Sequence, residues 1–140
     1  MNKKQYTTLG VTILIFIIII VVILFQGNKN DDWMREILDS EEYQITMTDC
    51  NSRTTSFPKE TITELFDKWA NLSDNGPWTG DNNKCYSKVT ITYSKEGIVK
   101  EKEIMLIDDS SLAINSNDGY WYYTNSTEIN NYLNSLFSKY

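Results

Sequence analysis

Hydrophobic and polar positions fall into two regimes along this chain. From Leu9 to Phe25 the sequence reads LGVTILIFIIIIVVILF, within an uncharged span running from Gln5 to Asn28. No polar stripe interrupts it, so it cannot lie half-buried on a water-facing domain. At about 1.5 Å per helical residue this run covers roughly 25 Å, and Tyr6–Thr8 with Gln26–Gly27 bring it to the hydrocarbon thickness of a bilayer. It predicts one transmembrane helix.

Beyond the run, apolar positions become periodic. Asn30–Glu42 is a charged connector in which Asp31 or Asp32 caps a short helix, with Trp33, Met34, Ile37 and Leu38 on one side. Tyr43–Cys50 alternates Tyr43, Ile45 and Met47 with Gln44, Thr46 and Thr48, the period of a half-buried strand. A polar turn, Asn51–Ser56, follows. Pro58 suits the first position of a helix whose stripe is Ile62, Leu65, Phe66, Trp69 and Leu72, ending at Ser73-Asp74-Asn75-Gly76-Pro77. Ser73–Lys84 reads as a long loop holding Trp78.

Strands are then expected over Cys85–Tyr93 and Ile98–Ile107, joined through Ser94-Lys95-Glu96-Gly97. A second pair, Ser111–Asn115 and Tyr120–Thr124, turns at Ser116-Asn117-Asp118-Gly119. Asn125 or Ser126 caps a closing helix, with Glu128 placed for a capping box and Ile129, Tyr132, Leu133, Leu136 and Phe137 on one face. The order is strand, helix, four strands, helix. Consecutive hairpins impose antiparallel pairing, and two one-sided helices need a face to cover. The expected fold is α+β: one N-terminal transmembrane helix, then a five-stranded antiparallel sheet with two helices packed on one face. The chain divides into a short tail (1–8), an anchor (9–27), a juxtamembrane connector (28–42) and a domain (43–140).

The strand ITMTDC, the Phe57-Pro58-Lys59-Glu60 helix start, the paired strands and the aromatic strand before a C-terminal helix resemble small extracytoplasmic domains of unknown function. Those domains occur on anchored and lipid-linked proteins of low-GC Gram-positive bacteria. The resemblance covers roughly Glu42–Phe137 and implies a fold and a location, without an activity.

A cleaved signal peptide is the rival to the anchor. Lys3 and Lys4 fit its basic start, but the apolar core is longer than 7–15 residues and Phe25-Gln26-Gly27-Asn28 offers no small-residue cleavage site. The uncleaved anchor is the preferred reading. Lys3, Lys4 and the terminal amine stand against Lys29 and Arg35, nearly a tie. A tail of eight residues and a long domain that translocates regardless of charge place the N-terminus in the cytoplasm and the domain outside. The anchor lacks G-x-x-x-G, so it carries no dimer signature.

Charge and composition narrow the chemistry. The chain has 13 basic and 19 acidic residues; leaving out Lys3 and Lys4, the part beyond the anchor carries −8. That surface does not seek nucleic acid. There is no histidine, which removes Ser-His and Cys-His pairs and most zinc sites. No phosphate loop or EF-hand spacing is present. No catalytic residue, cofactor site or metal site is assigned.

Cys50 ends the first expected strand and Cys85 begins the second. If those strands are antiparallel neighbours, the cysteines share one end of the sheet and can bridge. Two reduced thiols are the alternative. Tyr120-Trp121-Tyr122-Tyr123 alternates in a strand: Tyr120 and Tyr122 face one way, Trp121 and Tyr123 the other. One pair belongs to the core; the other, with Trp78 and with Tyr86 or Tyr93, forms a candidate binding platform. Asp81, Glu101, Glu103, Asp108, Asp109 and Asp118 are the carboxylates a histidine-free glycosidase would draw on, although most sit in turns or on a solvated strand face. The functional expectation is a non-enzymatic, single-pass membrane protein whose outer domain binds a protein partner or senses an envelope signal. The alternatives are a cell-wall glycan-binding module, an immunity protein against an extracytoplasmic toxin, and a carboxylate-dependent hydrolase.

Overall fold

The structure, a computed structural model, describes residues 2–28, 32–81, 83–116 and 119–140. The chain parts into two units, 1–39 and 40–140. In the first, α1 spans Lys3–Asn28, and its Lys3–Val21 stretch, of mean hydropathy 1.9, is long and apolar enough to cross a membrane. Near its start Thr7, Thr8 and Thr12 donate their hydroxyls to the carbonyls four residues back, so these polar groups are satisfied within the helix. The short helix α2, Asp32–Leu38, follows. Its buried positions are Met34 and Ile37, whereas Leu38 is exposed rather than sharing their side. Asp31, the other expected cap, lies outside the described residues.

The second unit is a seven-stranded, wholly antiparallel sheet with two helices. Its elements are β1 (Glu42–Thr48), β2 (Thr54–Phe57), α3 (Thr61–Trp69), β3 (Ser73–Pro77), β4 (Ser87–Lys95), β5 (Ile98–Asp108), β6 (Ser111–Ser116), β7 (Gly119–Thr124) and α4 (Thr127–Lys139). The strand order is β2-β1-β4-β5-β6-β7-β3. The α+β class stands, and the expected five strands become seven. The two added strands are the edges. Thr54–Phe57 begins within the expected polar turn Asn51–Ser56 and runs one residue past it, and Ser73–Pro77 falls in the expected loop. An edge ladder needs only backbone on one side, so SDNGP pairs with β7 despite its Gly and Pro.

Alternation in the central strands builds the core. Met47, Val89, Ile104 and Ile114 stand opposite one another in a single row across β1, β4, β5 and β6. Ile45 faces Ile91 and Phe57 one row along. All of these are buried. The helices cover this face: α3 buries Ile62, Leu65 and Trp69, and α4 buries Ile129, Leu133 and Phe137. Trp69 meets the Tyr123 ring edge-on at 5.8 Å between centroids. Lys68 of α3 bonds Glu128 of α4 at 2.9 Å, tying the two helices together.

Helix ends depart from expectation. Pro58–Glu60 forms a turn, with the Thr61 amide donating to the Pro58 carbonyl, so α3 begins three residues later. Ser126 occupies the N-cap position of α4 without a side-chain capping bond. Asn125 takes a left-handed φ of 59° and donates its amide to Ser73 Oγ. Glu128 serves Lys68 instead of a capping box. The β4–β5 hairpin turns on Glu96 and Gly97, both at positive φ, as a two-residue primed turn requires. Asn117 and Asp118 of the β6–β7 turn lie outside the described residues.

Candidate functional site

The face opposite the helices is polar along β1 and β4. Gln44, Thr46 and Thr48 of β1 stand beside Thr92, Thr90 and Lys88 of β4. Toward β7 the composition changes. Met105 and Ala113, direct partners, are buried although they point away from the helices. What covers Met105 is aromatic. The segment Trp78–Tyr86 carries the chain from the β3 edge to β4, and the Trp78 amide first donates to the Tyr120 carbonyl at 2.8 Å. The Trp78 ring then sits edge-on to Tyr86 at 5.7 Å and to Tyr120 at 6.0 Å. Trp78, Tyr86, Tyr120, Met105, Cys85, Lys84 and Lys88 line a pocket of about 190 Å³.

Gly80 fixes how the indole lies. A Cβ there would collide with the six-membered ring and Nε1 of Trp78, so only glycine leaves the ring in place. At the other end of the segment, Cys85 is bridged to Cys50 with 5.8 Å between Cα atoms. Antiparallel pairing of β1 with β4 brings the two cysteines just beyond the Thr48–Lys88 pair, at one end of the sheet. The same pairing puts the aromatic segment's exit beside the β1–β2 turn. In that turn the Asp49 carboxylate accepts from the Asn51 and Arg53 amides.

Polar groups flank the aromatic corner. The Tyr120 hydroxyl donates to the Glu103 carboxylate, and Lys88 pairs with the same carboxylate at 3.4 Å. The Glu103 amide donates to Asn115 Oδ1 at 2.8 Å, holding the strand edge in register. Burial pushes the Tyr120 phenol up to about 12, and the bond to Glu103 adds to the shift.

Compared with known proteins, the chain matches no family, no curated protein and no solved structure.

Trp78 and Tyr120 come together, and Tyr86 joins them. Tyr122 shares the open face, opposite Ala113 and half-buried. Trp121 and Tyr123 point to the helix side: Tyr123 packs on Trp69, and Trp121 donates its indole N–H to Asp74 at the sheet edge. Tyr93 is buried on that side too, opposite Tyr43. Which aromatics cluster was not legible locally, because Trp78 reaches Tyr120 only once β3 lies beside β7.

The carboxylates are dispersed. Asp108 closes the β5–β6 turn, and the Ser110 amide bonded to it holds its carboxyl below the usual range. Asp74 is engaged by Gly76 and Trp121, and Asp81 by the Asn83 amide. Glu101 and Glu103 alternate on the open face, with Glu103 committed to Lys88 and Tyr120. Among the described residues no three histidine, cysteine, aspartate or glutamate side chains group as a metal site would require.

Proposed function

We propose that this is a non-enzymatic single-pass membrane protein whose outer domain docks a protein partner, or registers an envelope signal, through the open face of its sheet. In this reading α1 is an uncleaved anchor, the N-terminus is cytoplasmic and residues 40–140 stand outside. The resemblance to small extracytoplasmic domains of Gram-positive bacteria belongs to the same proposal. The observation supporting it is the aromatic corner on the sheet face opposite α3 and α4: Trp78, Tyr86, Tyr120 and Tyr122 are all half-buried there. Tyrosine and tryptophan in such settings carry much of the energy of protein interfaces, since they bring large area with few rotors to freeze.

The test is positional. A photo-crosslinking residue replacing Tyr122 in the full chain, within native membranes, is expected to give a discrete adduct. The same residue replacing Asn131, on the exposed side of α4, is expected to give none. Adducts from Asn131 alone, or from neither position, would sink the reading.

A second reading, cell-wall glycan binding, is favoured by one feature: the pocket pairs aromatic walls with Lys84 and Lys88. Co-sedimentation of the detergent-solubilised chain with purified sacculi decides it. Salt-resistant binding lost in Trp78→Ala supports glycan recognition, and absence of binding leaves the protein partner.

A further inference from the structure

Acid dominates the chain beyond the anchor, which carries −8 once Lys3 and Lys4 are left out. The pocket at the aromatic corner has the opposite character: the charged side chains lining it are Lys84 and Lys88. Lys84 closes the turn begun at Asp81, its amide directed at the Asp81 carbonyl, and its ammonium lies 5.7 Å from the centre of the Tyr86 ring. Lys88 reaches the Glu103 carboxylate, which also accepts from the Tyr120 hydroxyl. The Asp81 carboxylate is engaged by the Asn83 amide of its own loop. With Glu103 set against Lys88, the pocket keeps one positive charge in excess on an acidic domain.

The chemistry of the lining selects the occupant. Ammonium groups donate hydrogen bonds and accept none, so they call for an acceptor. Three aromatic rings alone would suit a cation, but two ammonium groups beside them repel one. Trp78, Tyr86 and the buried Met105 add apolar wall, which calls for a short apolar stem under the anion. A volume of about 190 Å³ falls below that of pockets enclosing a whole small molecule and matches a single side chain. The acidic surround works against a polyanion. An isolated carboxylate on methylene groups meets all of these conditions.

We propose that this pocket recognises one acidic side chain of a partner polypeptide, its carboxylate accepting from Lys84 and Lys88 and its stem packing on the aromatic wall. This rests on the reading of the open face as a docking surface and deepens it by stating the partner's chemistry. That partner is neutral or basic where it meets the acidic domain, and carries one acid in an apolar setting at the contact. The site is formed in advance of binding. Gly80 leaves the Trp78 indole in place, and the bridge to Cys50 holds Cys85 between Lys84 and Tyr86.

The test titrates the full chain, nitrogen-15 labelled in a zwitterionic detergent with its cysteines bridged. The probes are acetyl-Leu-Glu-Leu-amide, its Gln analogue and inorganic phosphate. The readout is the indole N–H resonance of Trp78, assigned by its loss in Trp78→Phe, with that of Trp69 on the covered face as a check of the fold. The expected result is a saturable shift of Trp78, and not of Trp69, with the Glu peptide alone, weakening as salt is added. Lys84→Gln should weaken it roughly fivefold, the scale of an exposed ion pair, whereas Lys139→Gln in the last turn of α4 should leave it unchanged. Equal shifts with the Glu and Gln peptides, or no shift with either, overturn the proposal, and so does an equal shift with phosphate. Adducts from Tyr122 in native membranes without the peptide shift leave the docking face standing and overturn this pocket's assignment. A peptide shift that depends on Lys84, without those adducts, keeps the pocket's preference for a carboxylate and overturns the docking reading.

Discussion

The chain crosses its own sheet twice, and the two crossings differ in kind. From the β2 edge to the β3 edge it travels as α3 over the aliphatic face. From the β3 edge back to β4 it travels as the irregular segment Trp78–Tyr86 over the opposite face. The first crossing buries Ile62, Leu65 and Trp69 on rows of Ile, Val, Met and Leu. The second covers Met105 and Ala113, and among its described fastenings are the Trp78 indole, the Trp78 amide bond to the Tyr120 carbonyl, the Gly80 contact and the disulfide. A helix satisfies its own backbone, so it can close a face on side-chain packing alone. An irregular crossing has to be fastened at its ends, which leaves polar and aromatic groups near the surface. Binding faces are commonly built from such segments on a rigid frame.

If the bridge is the main fastening of the irregular crossing, removing it carries the largest penalty. The Cys50–Cys85 bridge closes a separation of 35 residues, for which the chain-entropy argument gives about 4 kcal/mol. Cys50→Ser combined with Cys85→Ser should lower the midpoint of thermal unfolding by roughly 20 °C. Near-ultraviolet circular dichroism of the full chain in detergent is the readout, because it follows the aromatic corner and ignores the signal of α1. A shift of only a few degrees would mean that the crossing holds by its own packing.

Smaller, and aimed at the contrast between faces, is a pair of truncations. Leu112 is fully buried on the helix side, and Leu112→Ala should cost about 3 kcal/mol through lost transfer energy and the cavity left behind. Thr90, on the open side between Thr46 and Glu103, should lose less than about 0.5 kcal/mol on replacement by Ala. Denaturant melts of both variants check this. Equal losses would show that the open face is as tightly packed as the covered one, which would break the comparison.

Legibility in the sequence followed the same division. YQITMT announced β1 because a strand buried on one face must alternate, and the stripes of α3 and α4 were visible for the corresponding reason. The cysteine pairing was accessible too, since antiparallel neighbours put the end of one strand beside the start of the other. SDNGP and TTSF carried no such sign: an edge strand contributes backbone bonds and needs no apolar row. Pro58 looked like a helix start, yet the chain spends Pro58–Glu60 leaving β2. Period two separated Tyr120 and Tyr122 from Trp121 and Tyr123, but the side that stays open depends on where two distant helices settle. The cluster of Trp78 with Tyr86 and Tyr120 depends in turn on an edge pairing that no local pattern encodes.

The finest probe of the open face is the proton on Tyr120. Its phenol donates to Glu103, which also holds Lys88, and burial followed by that bond keeps it protonated up to about 12 instead of the ordinary 10. The unfolded chain releases this proton first. The stabilisation is therefore complete below about pH 10 and drains away as the pH climbs toward 12. Tyr120→Phe removes it, at a cost of about 1 kcal/mol near neutrality. Above pH 10 the wild type should lose stability more steeply than the variant, so the gap between them closes. Phenolate absorbance of the folded chain should lose a late-titrating step in the variant. Tyr132 of α4, raised by burial and then by its bond to Glu64, remains as an internal reference on the covered side. Parallel pH profiles for wild type and variant would mean that Tyr120 is not engaged with Glu103, and the open-face corner would then be loose aromatic surface without an ordered polar rim.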